Sequence, residues 1–358
     1  MSFFSILVAV LAFGFLIFVH ELGHFISARA TGIKVYEFSI GMGPKLAWYD
    51  SKKTGIRYKI CMLPLGGYVS MADGVDESAP SDDPQAFSNQ KPWKRLLVTM
   101  AGGVVNLFVG FLLMLAVVMG SVMPTTVVAD FPPELSFSDV STEAAGLKPG
   151  DEILSVGGKR VHTMMELDYE IMRRGIEPIP VVVLRDTDGD GRGETEIPLT
   201  VTFPTENRQG QSLGTRDFRV VAIPDEEITF GDVLHETFYR SICLVRMVWE
   251  SLFDLITGRY SLEAVSGPVG ITGTVGEAVS YGIIPVLYLI AMISINLGVL
   301  NLIPLPGLDG GRMFFILIEM IFRKPVPKDV EAKIHGIGLL LLLGFSLLVT
   351  VMDIKSFF

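Results

Sequence analysis

Residues 20 to 24 read HELGH, in which two histidines lie four positions apart and a glutamate follows the first of them. On an α-helix, positions i and i+4 lie on one face, so His20 and His24 can bind the same metal ion while Glu21 projects beside it. Two neutral imidazoles suit zinc and leave room for a third protein ligand and a water molecule. The spacing therefore predicts a hydrolytic zinc centre in which Glu21 is the general acid and base.

The HELGH residues lie in a long apolar segment, and the whole chain is unusually apolar. Of its 358 residues 49% are hydrophobic, and the mean hydropathy is +0.48, values that are typical of membrane proteins. Four apolar windows are candidates to span a bilayer, of which the last is short: 3–28, 96–119, 283–303 and 337–352. Ionisable side chains inside a span are costly and usually functional, which favours a catalytic site at HELGH.

Charged residues are distributed unevenly between the segments that connect the apolar windows. Ten Lys and Arg residues lie between Arg29 and Arg95, and more follow the third window, so the positive-inside rule places both segments in the cytoplasm. The region between Ser121 and Ile228 then lies on the other side, and its 20 acidic and 10 basic residues account for the net charge of −10. This distribution does not resemble a nucleic-acid-binding surface.

Between the apolar windows the sequence pattern becomes β-rich. Residues 34–73 combine short β-rich runs with glycine turns, which predicts hairpins that lie against the membrane. Residues 143–161, EAAGLKPGDEILSVGGKRV, predict turns and short strands within a compact β-rich domain. Residues 233–257 have helical periodicity with charges on the apolar face, as in an amphipathic helix at the outer interface. The predicted divisions of the chain are 1–121, 122–228, 229–281 and 282–358.

The third metal ligand must come from another part of the chain, and there are two candidates. A metzincin is excluded because Ser27 and Ala30 occupy the positions of its glycine and third histidine. Glu37 is the nearest carboxylate, although no helical register aims it at the histidines. Asp309 is favoured, because the prolines of LNLIPLPGLDGGRMF break the third span and a broken membrane helix often marks a site. We expect Asp309 to end the third span.

Six motifs together resemble the site-2 protease family, most closely its RseP-type bacterial branch. In chain order they are HELGH, YKICMLPLGGYVSM, KPWKRLLVTMAGGVVN, GLKPGDEILSVGG, SGPVGI and NLIPLPGLDGG, and they extend over nearly the whole chain. The expected fold is a polytopic α-helical membrane protein with four transmembrane helices, a membrane-associated β-hairpin region and an inserted β-rich PDZ-like domain. The chain departs from the family at Gly103, where a proline is usual, and has room for one PDZ-like module where several relatives have two.

The resemblance also implies an activity, that of an intramembrane zinc metalloprotease. His20, His24 and Asp309 are then expected to bind Zn²⁺, Glu21 to act as the catalytic acid and base, and Asn301 to contact the substrate. The expected substrates are transmembrane segments of single-span proteins, either anti-sigma factors or remnant signal peptides, cut in regulated intramembrane proteolysis. The expected location is the bacterial cytoplasmic (inner) membrane, with both termini and the PDZ-like domain on the periplasmic side.

Other interpretations of the sequence remain open. With Glu37 as the third ligand, the chain would be a membrane-tethered gluzincin that acts on soluble peptides; with an inactive site, it would be a membrane-anchored PDZ scaffold. The PDZ-like domain could bind a substrate C-terminus or act as a size filter. Residues 186–194, DTDGDGRGE, resemble a calcium loop, but Ile197 stands where the bidentate glutamate is needed, which favours a solvated hairpin tip. The remaining histidines, expected to be structural or surface residues, are His162, His235 and His335.

Overall fold

The computed structural model describes residues 3–71, 83–135, 140–188, 193–208, 211–259 and 267–357. The chain divides into two compact units, of which one joins Met1–Leu113 to Met247–Phe358 and the other is Met114–Arg246. The helices are α1 Phe3–Thr31, α2 Pro92–Met119, α3 Met164–Arg174, α4 Phe230–Ile256, α5 Pro268–Tyr281, α6 Ile283–Leu302, α7 Asp309–Phe322 and α8 Lys328–Phe357. The strands are β1 Val35–Asp50, β2 Arg57–Met71, β3 Met123–Asp130, β4 Glu152–Val156, β5 Lys159–Arg160, β6 Ile179–Arg185, β7 Thr195–Val201, β8 Thr205–Arg208, β9 Gln211–Gly214 and β10 Arg219–Ile223.

Four helices in the described part of the chain, α1, α2, α6 and α8, are long and apolar enough to cross a bilayer. The prediction of four apolar spans is thereby confirmed, although several limits differ from those of the apolar windows. Helix α2 begins at Pro92 and α8 at Lys328, because a helix continues through polar flanking residues that an apolar window leaves out. With 30 residues, α8 exceeds the roughly 20 that a span needs.

A non-helical segment separates α6 from α7. Helix α6 ends at Leu302 and α7 begins at Asp309, so the prediction that Asp309 ends the third span is wrong. Between them, Pro304 and Pro306 have no N–H to continue the helical ladder, and Gly307 adopts a φ of 95°, which is readily available only to glycine. The chain therefore leaves one helix and starts another, with Asp309 as the first residue of the second.

Strands β1 and β2 form the hairpin region, and each of them bends. Across the sheet, the rows lie in the order 67–70, 37–40, 57–60 and 47–50, and each row pairs with the next. The bend in β1 occurs at Gly41, where φ is 82° and a Cβ atom would lie 2.5 Å from the carbonyl oxygen of Leu63. The two long strands thus make four short rows, with residues 67–70 at one edge.

An apolar core joins α1, the hairpin region and α2. Its buried members are Ala28, Ile33, Val35, Phe38, Ile56, Val69 and Val98. The ring of Phe38 lies 6.1 Å from that of Phe18 and 5.1 Å from that of Phe25, measured between centroids. Full burial of such a side chain stabilises the fold by about 1.5–3 kcal/mol. This core fixes the hairpin against the helix that carries HELGH.

The unit Met114–Arg246 is β-rich and has a core of its own. Strands β10, β3, β4, β6 and β7 are neighbours in that order, β5 pairs with β4, and β8 pairs with β9. Helix α3 begins after Thr163, whose hydroxyl accepts a hydrogen bond from the N–H of Glu166 and caps the helix. The predicted limits 122–228 lie inside this unit. Of the acidic segment 186–194, residues 189–192 lie outside the described residues.

Helix α4 agrees closely with the helix predicted over 233–257. Phe230, Leu234, Phe238 and Ile242 recur every fourth residue, and each is at least 38% exposed, so one face of the helix is apolar and open. Helix α4 is not among the candidate spans. This exposed apolar face makes α4 amphipathic. Its location at the membrane interface stays a prediction.

Candidate metal centre

His20, His24 and Asp309 come together although nearly the whole chain separates the aspartate from the histidines. Asp309 Oδ2 lies 3.0 Å from His20 Nε2 and 3.1 Å from His24 Nε2, and the two Nε2 atoms are 3.2 Å apart. Ligand atoms arranged tetrahedrally around zinc at about 2.0–2.1 Å lie about 3.3 Å from one another. The triangle of donor atoms therefore has nearly the size that zinc requires, and these residues form a group that could hold a metal ion.

The second nitrogen of each histidine also has a neighbour. His24 Nδ1 lies 2.8 Å from the carbonyl oxygen of Val98, so Nδ1–H donates and Nε2 keeps its lone pair for a metal. His20 Nδ1 lies 3.3 Å from the side-chain amide nitrogen of Asn106, which is fully buried. The Asn106 amide oxygen has no hydrogen-bond partner among the described residues.

The lack of a partner for this buried oxygen bears on whether the site fits zinc. When His20 binds a metal through Nε2, its Nδ1 carries the proton and needs an acceptor. Rotating the Asn106 amide by 180° exchanges its oxygen and nitrogen with almost no change in shape. The oxygen then accepts the His20 N–H, and the buried orphan is satisfied. The residues around the two imidazoles therefore fit a metal-bound state.

Two glycines let α1 and α2 approach closely beside the histidines. A Cβ atom at Gly23 would lie 2.5 Å from the carbonyl oxygen of Ala101. A Cβ atom at Gly102 would overlap His24 Nε2 and lie 2.8 Å from His20 Nε2. Gly102 therefore leaves open the space next to the two metal-facing nitrogens, where any side chain would collide with them.

Glu21 lies in the same cavity as the three candidate ligands. The cavity has a volume of about 350 Å³, and its lining includes His20, Glu21, Val69, Asp309, Arg312 and His335. Val69 lines the same cavity, and its main-chain N–H faces the Glu21 carboxylate. A carboxylate held beside a metal site in a cavity this large can exchange protons with a bound water or substrate.

Comparison with known proteins identifies the family of this chain. The model of peptidase family M50 matches residues 8–345. The chain belongs to peptidase family M50. This is the site-2 protease family, so the resemblance noted in the sequence is confirmed, and the chain is a zinc metallopeptidase with membrane-spanning helices.

Relatives of this M50 peptidase are similar over almost their full length. Zinc metalloprotease RasP of Geobacillus kaustophilus is 30% identical over 99% of this chain and 98% of its own. A provisionally named zinc metalloprotease of Clostridium acetobutylicum is 34% identical over 99% of this chain and 98% of its own. Another provisionally named one, from Nostoc, is 34% identical over 98% of this chain and 95% of its own.

Two candidate residues of the M50 chain lie apart from the metal cluster. Glu37 forms an ion pair with Lys59, 2.7 Å between Oε1 and Nζ, and accepts a hydrogen bond from Tyr68. Burial alone would raise the pKa of Glu37, but Lys59 and Tyr68 hold it below its usual range. The amide of Asn301 donates to the carbonyl oxygen of Leu297 at 3.0 Å. In the described part of the chain, these hydrogen bonds and this ion pair do not involve the histidines.

Three residues near the centre were not identified from the sequence. Gly102 and Asn106 belong to AGGVVN in α2, and an asparagine inside an apolar span is itself a signal of function. His335, expected to be a structural or surface residue, lines the cavity. His162 lies elsewhere, in the unit Met114–Arg246, where its ring stacks 3.9 Å from that of Tyr239.

Proposed function

We propose that this M50 peptidase hydrolyses a peptide bond within the transmembrane segment of single-span membrane proteins, using zinc held by His20, His24 and Asp309. The observation that carries the proposal is the approach of three ligand atoms, from α1 and α7, to within 4.8 Å of one another. Two imidazoles and a carboxylate leave a fourth coordination position for water or substrate, as in catalytic zinc sites. The apolar helices around them support a site at membrane depth.

Each group of the site has a role in the hydrolysis. Bound zinc would supply Lewis acidity, which lowers the pKa of a water molecule and polarises the substrate carbonyl. Glu21 takes the proton from the attacking water and returns it to the leaving amine. The main-chain N–H of Val69 faces the Glu21 carboxylate and can help to orient it for this proton transfer.

Asn301 is proposed as a donor to the oxyanion that develops on the substrate. Its amide nitrogen carries two N–H groups; one donates to the Leu297 carbonyl, and the second can donate to the substrate oxygen. Removing a donor of this kind costs roughly 3 kcal/mol, or about a hundredfold in rate. Asn301→Ala should therefore lower kcat about a hundredfold with unchanged zinc content, and an unchanged kcat would leave Asn301 a helix-packing residue.

The hairpin region is proposed to hold the substrate in an extended form. A helical transmembrane segment hides its carbonyls in hydrogen bonds, so it must unwind before it is cut. Tyr68 and Val69, on the edge row 67–70, and the adjacent Met71 line the cavity that contains Glu21. An unwound segment can add to this edge through main-chain hydrogen bonds.

This model of substrate binding predicts a dependence on helix stability in the substrate. Alanine and leucine placed near the cut should slow cleavage, and glycine or proline should accelerate it, because their helix propensities differ by about 1–3 kcal/mol. The measurement is the initial cleavage rate of purified single-span substrates in the same detergent. Equal rates for the two sets would count against unwinding.

The unit Met114–Arg246 is proposed to be a PDZ-like domain on the periplasmic side. Its antiparallel sheet and its helix α3 are compatible with such a module. It would admit anti-sigma factors or remnant signal peptides only after an earlier cut, either by binding the new C-terminus or by size exclusion. Cleavage by this chain would then be a step of regulated intramembrane proteolysis in a bacterial inner membrane.

Glu21→Gln provides the test of the proteolytic function. The variant should keep zinc, because Glu21 is not one of the proposed ligands, but should lose the proton transfer. Membranes of cells that carry it should accumulate single-span fragments which the parent protein removes, whereas the exposed Glu277→Gln should behave as the parent. Identical membrane proteomes for Glu21→Gln and the parent would contradict a protease function.

A further inference from the structure

The segment 303–308, which precedes Asp309, must satisfy its main-chain groups within the membrane part of the protein. It has four N–H groups, since two of its residues are prolines. Three donate to carbonyls of the segment or of the last turn of α6, at 2.6–3.2 Å. The fourth, that of Gly307, donates to His335 Nδ1 at 3.1 Å. Unsatisfied N–H groups in a membrane cost several kcal/mol, so the side chain from α8 completes the turn.

Helix α8 also meets this segment through close main-chain contacts. A Cβ atom at Gly338 would overlap the carbonyl group of Pro306, and one at Gly307 would lie 2.8 Å from the main-chain nitrogen of Leu339. His335, Gly338 and Leu339 have the i, i+3, i+4 spacing of one helix face. The fourth span therefore packs against the turn with little space for displacement.

The His335 ring is held from a second side by α7. A Cβ atom at Gly311 would lie 3.0 Å from His335 Cε1, so the ring occupies the space that this glycine leaves. Because Nδ1 accepts the Gly307 hydrogen bond, the proton of the neutral ring is on Nε2. Nε2 is buried and has no partner in the described part of the chain, so the one hydrogen bond that the ring makes there is to the turn.

We propose that His335 is a positioning residue of the metal centre. By accepting the Gly307 N–H and filling the space beside Gly311, it fixes the turn from which α7 begins and so the position of the Asp309 carboxylate. The proposal rests on the proposed role of Asp309 as a zinc ligand. Residues that orient metal ligands typically change metal affinity 10- to 100-fold when they are replaced.

The test measures zinc affinity rather than proteolysis. The full chain, purified in detergent, is titrated with zinc against a chromophoric chelator, and the visible spectrum of its Co²⁺ form is recorded. His335→Leu removes the acceptor and should raise the Kd for zinc at least tenfold and alter the Co²⁺ spectrum. His335→Asn, whose Oδ1 occupies almost the place of Nδ1, should remain within about threefold of the parent because it still accepts the Gly307 N–H.

Control variants separate this proposal from the identity of the ligands. Leu341→Ala alters an exposed residue of the same helix and should leave the Kd unchanged. If Asp309→Asn binds zinc as tightly as the parent, the proposed zinc site itself is wrong. If Asp309→Asn loses zinc while His335→Leu keeps the parent Kd and Co²⁺ spectrum, only the role of His335 is overturned. A His335→Asn variant as weak as His335→Leu overturns it as well.

A further variant serves if His335→Leu does not fold, as judged by size-exclusion chromatography. Gly338→Ala presses a methyl group on the Pro306 carbonyl and should raise the zinc Kd by displacing the same turn. An unchanged Kd for Gly338→Ala would then overturn the proposal.

Discussion

At the scale of single residues, the metal centre depends on side chains that only hold the proposed ligands in place. The HELGH motif alone predicts that its two histidines lie on one face of a helix, because they are about one helical turn apart. The contact between Asn106 and His20 joins positions 86 residues apart, and no local pattern in the sequence encodes it. The ligand set was inferred from spacing and family resemblance, whereas the groups around it needed the three-dimensional structure.

Gly102→Ala should abolish zinc binding while leaving the chain folded. Its methyl group would overlap His24 Nε2 and crowd His20 Nε2, the two nitrogens proposed to face the metal. The measurement is zinc per chain after dialysis. Gly344→Ala is the control, because a Cβ atom there meets no atom within 4 Å; full zinc occupancy in Gly102→Ala would refute the proposed positions of the histidines.

We expect zinc binding to require the acceptor oxygen of the Asn106 side chain and not its N–H groups. Asn106→Asp keeps an oxygen for the His20 N–H, and Asn106→Leu removes it. We expect the zinc Kd to rise 10- to 100-fold for leucine and much less for aspartate. Equal affinities for the two variants would mean that the rotated Asn106 amide does not orient His20.

At the scale of elements, the sequence predicts the regular parts better than the interruptions. Apolar windows identify α1, α2, α6 and α8, since length and hydropathy suffice for a span. The prolines of 303–308 indicate a broken helix, but whether Asp309 ends one helix or starts the next depends on how the turn packs on α8. The bends of β1 and β2 are likewise set by tertiary contacts, because a strand's own sequence does not choose between two partner rows.

The ion pair between Arg95 and Glu319 should stabilise the element that carries Asp309. It joins α2 to α7 at 2.8 Å, with side chains only 14% and 16% exposed. Breaking such a pair leaves a charge with poor solvation, so Glu319→Gln should destabilise the protein by up to about 3 kcal/mol. Thermal unfolding in detergent measures this loss.

An exposed ion pair provides the matched control for this measurement. Asp50 and Arg57 are 58% and 46% exposed, and screened pairs of this kind contribute at most about 1 kcal/mol. Asp50→Asn should therefore hardly change the unfolding temperature. A similar small effect for Glu319→Gln would show that the link between α2 and α7 is not important for stability.

At the scale of the whole molecule, composition determines the class of protein and charge predicts its orientation. A mean hydropathy of +0.48 predicts a membrane protein, in agreement with the four apolar helices found among the described residues. The predicted orientation rests on the ten basic residues between Arg29 and Arg95 and the acidic excess between Ser121 and Ile228. Substrate choice has no such signature, because it depends on surfaces that composition does not describe.

Labelling of introduced cysteines tests this orientation. Lys53→Cys should react with a membrane-impermeant maleimide only after the cells are opened, and Glu226→Cys should react in intact spheroplasts. Both positions are exposed, and the native Cys61 and Cys243 are buried, so background labelling should be low. The reverse pattern would place the β-rich unit in the cytoplasm.

The central claim is that zinc is bound by His20, His24 and Asp309. X-ray absorption at the zinc edge, measured on the purified parent and on Asp309→Ala, tests it most directly. We predict two imidazole nitrogens and oxygen at about 2.0–2.1 Å in the parent and loss of bound zinc in the variant. Full zinc occupancy in Asp309→Ala with an unchanged spectrum would contradict the account.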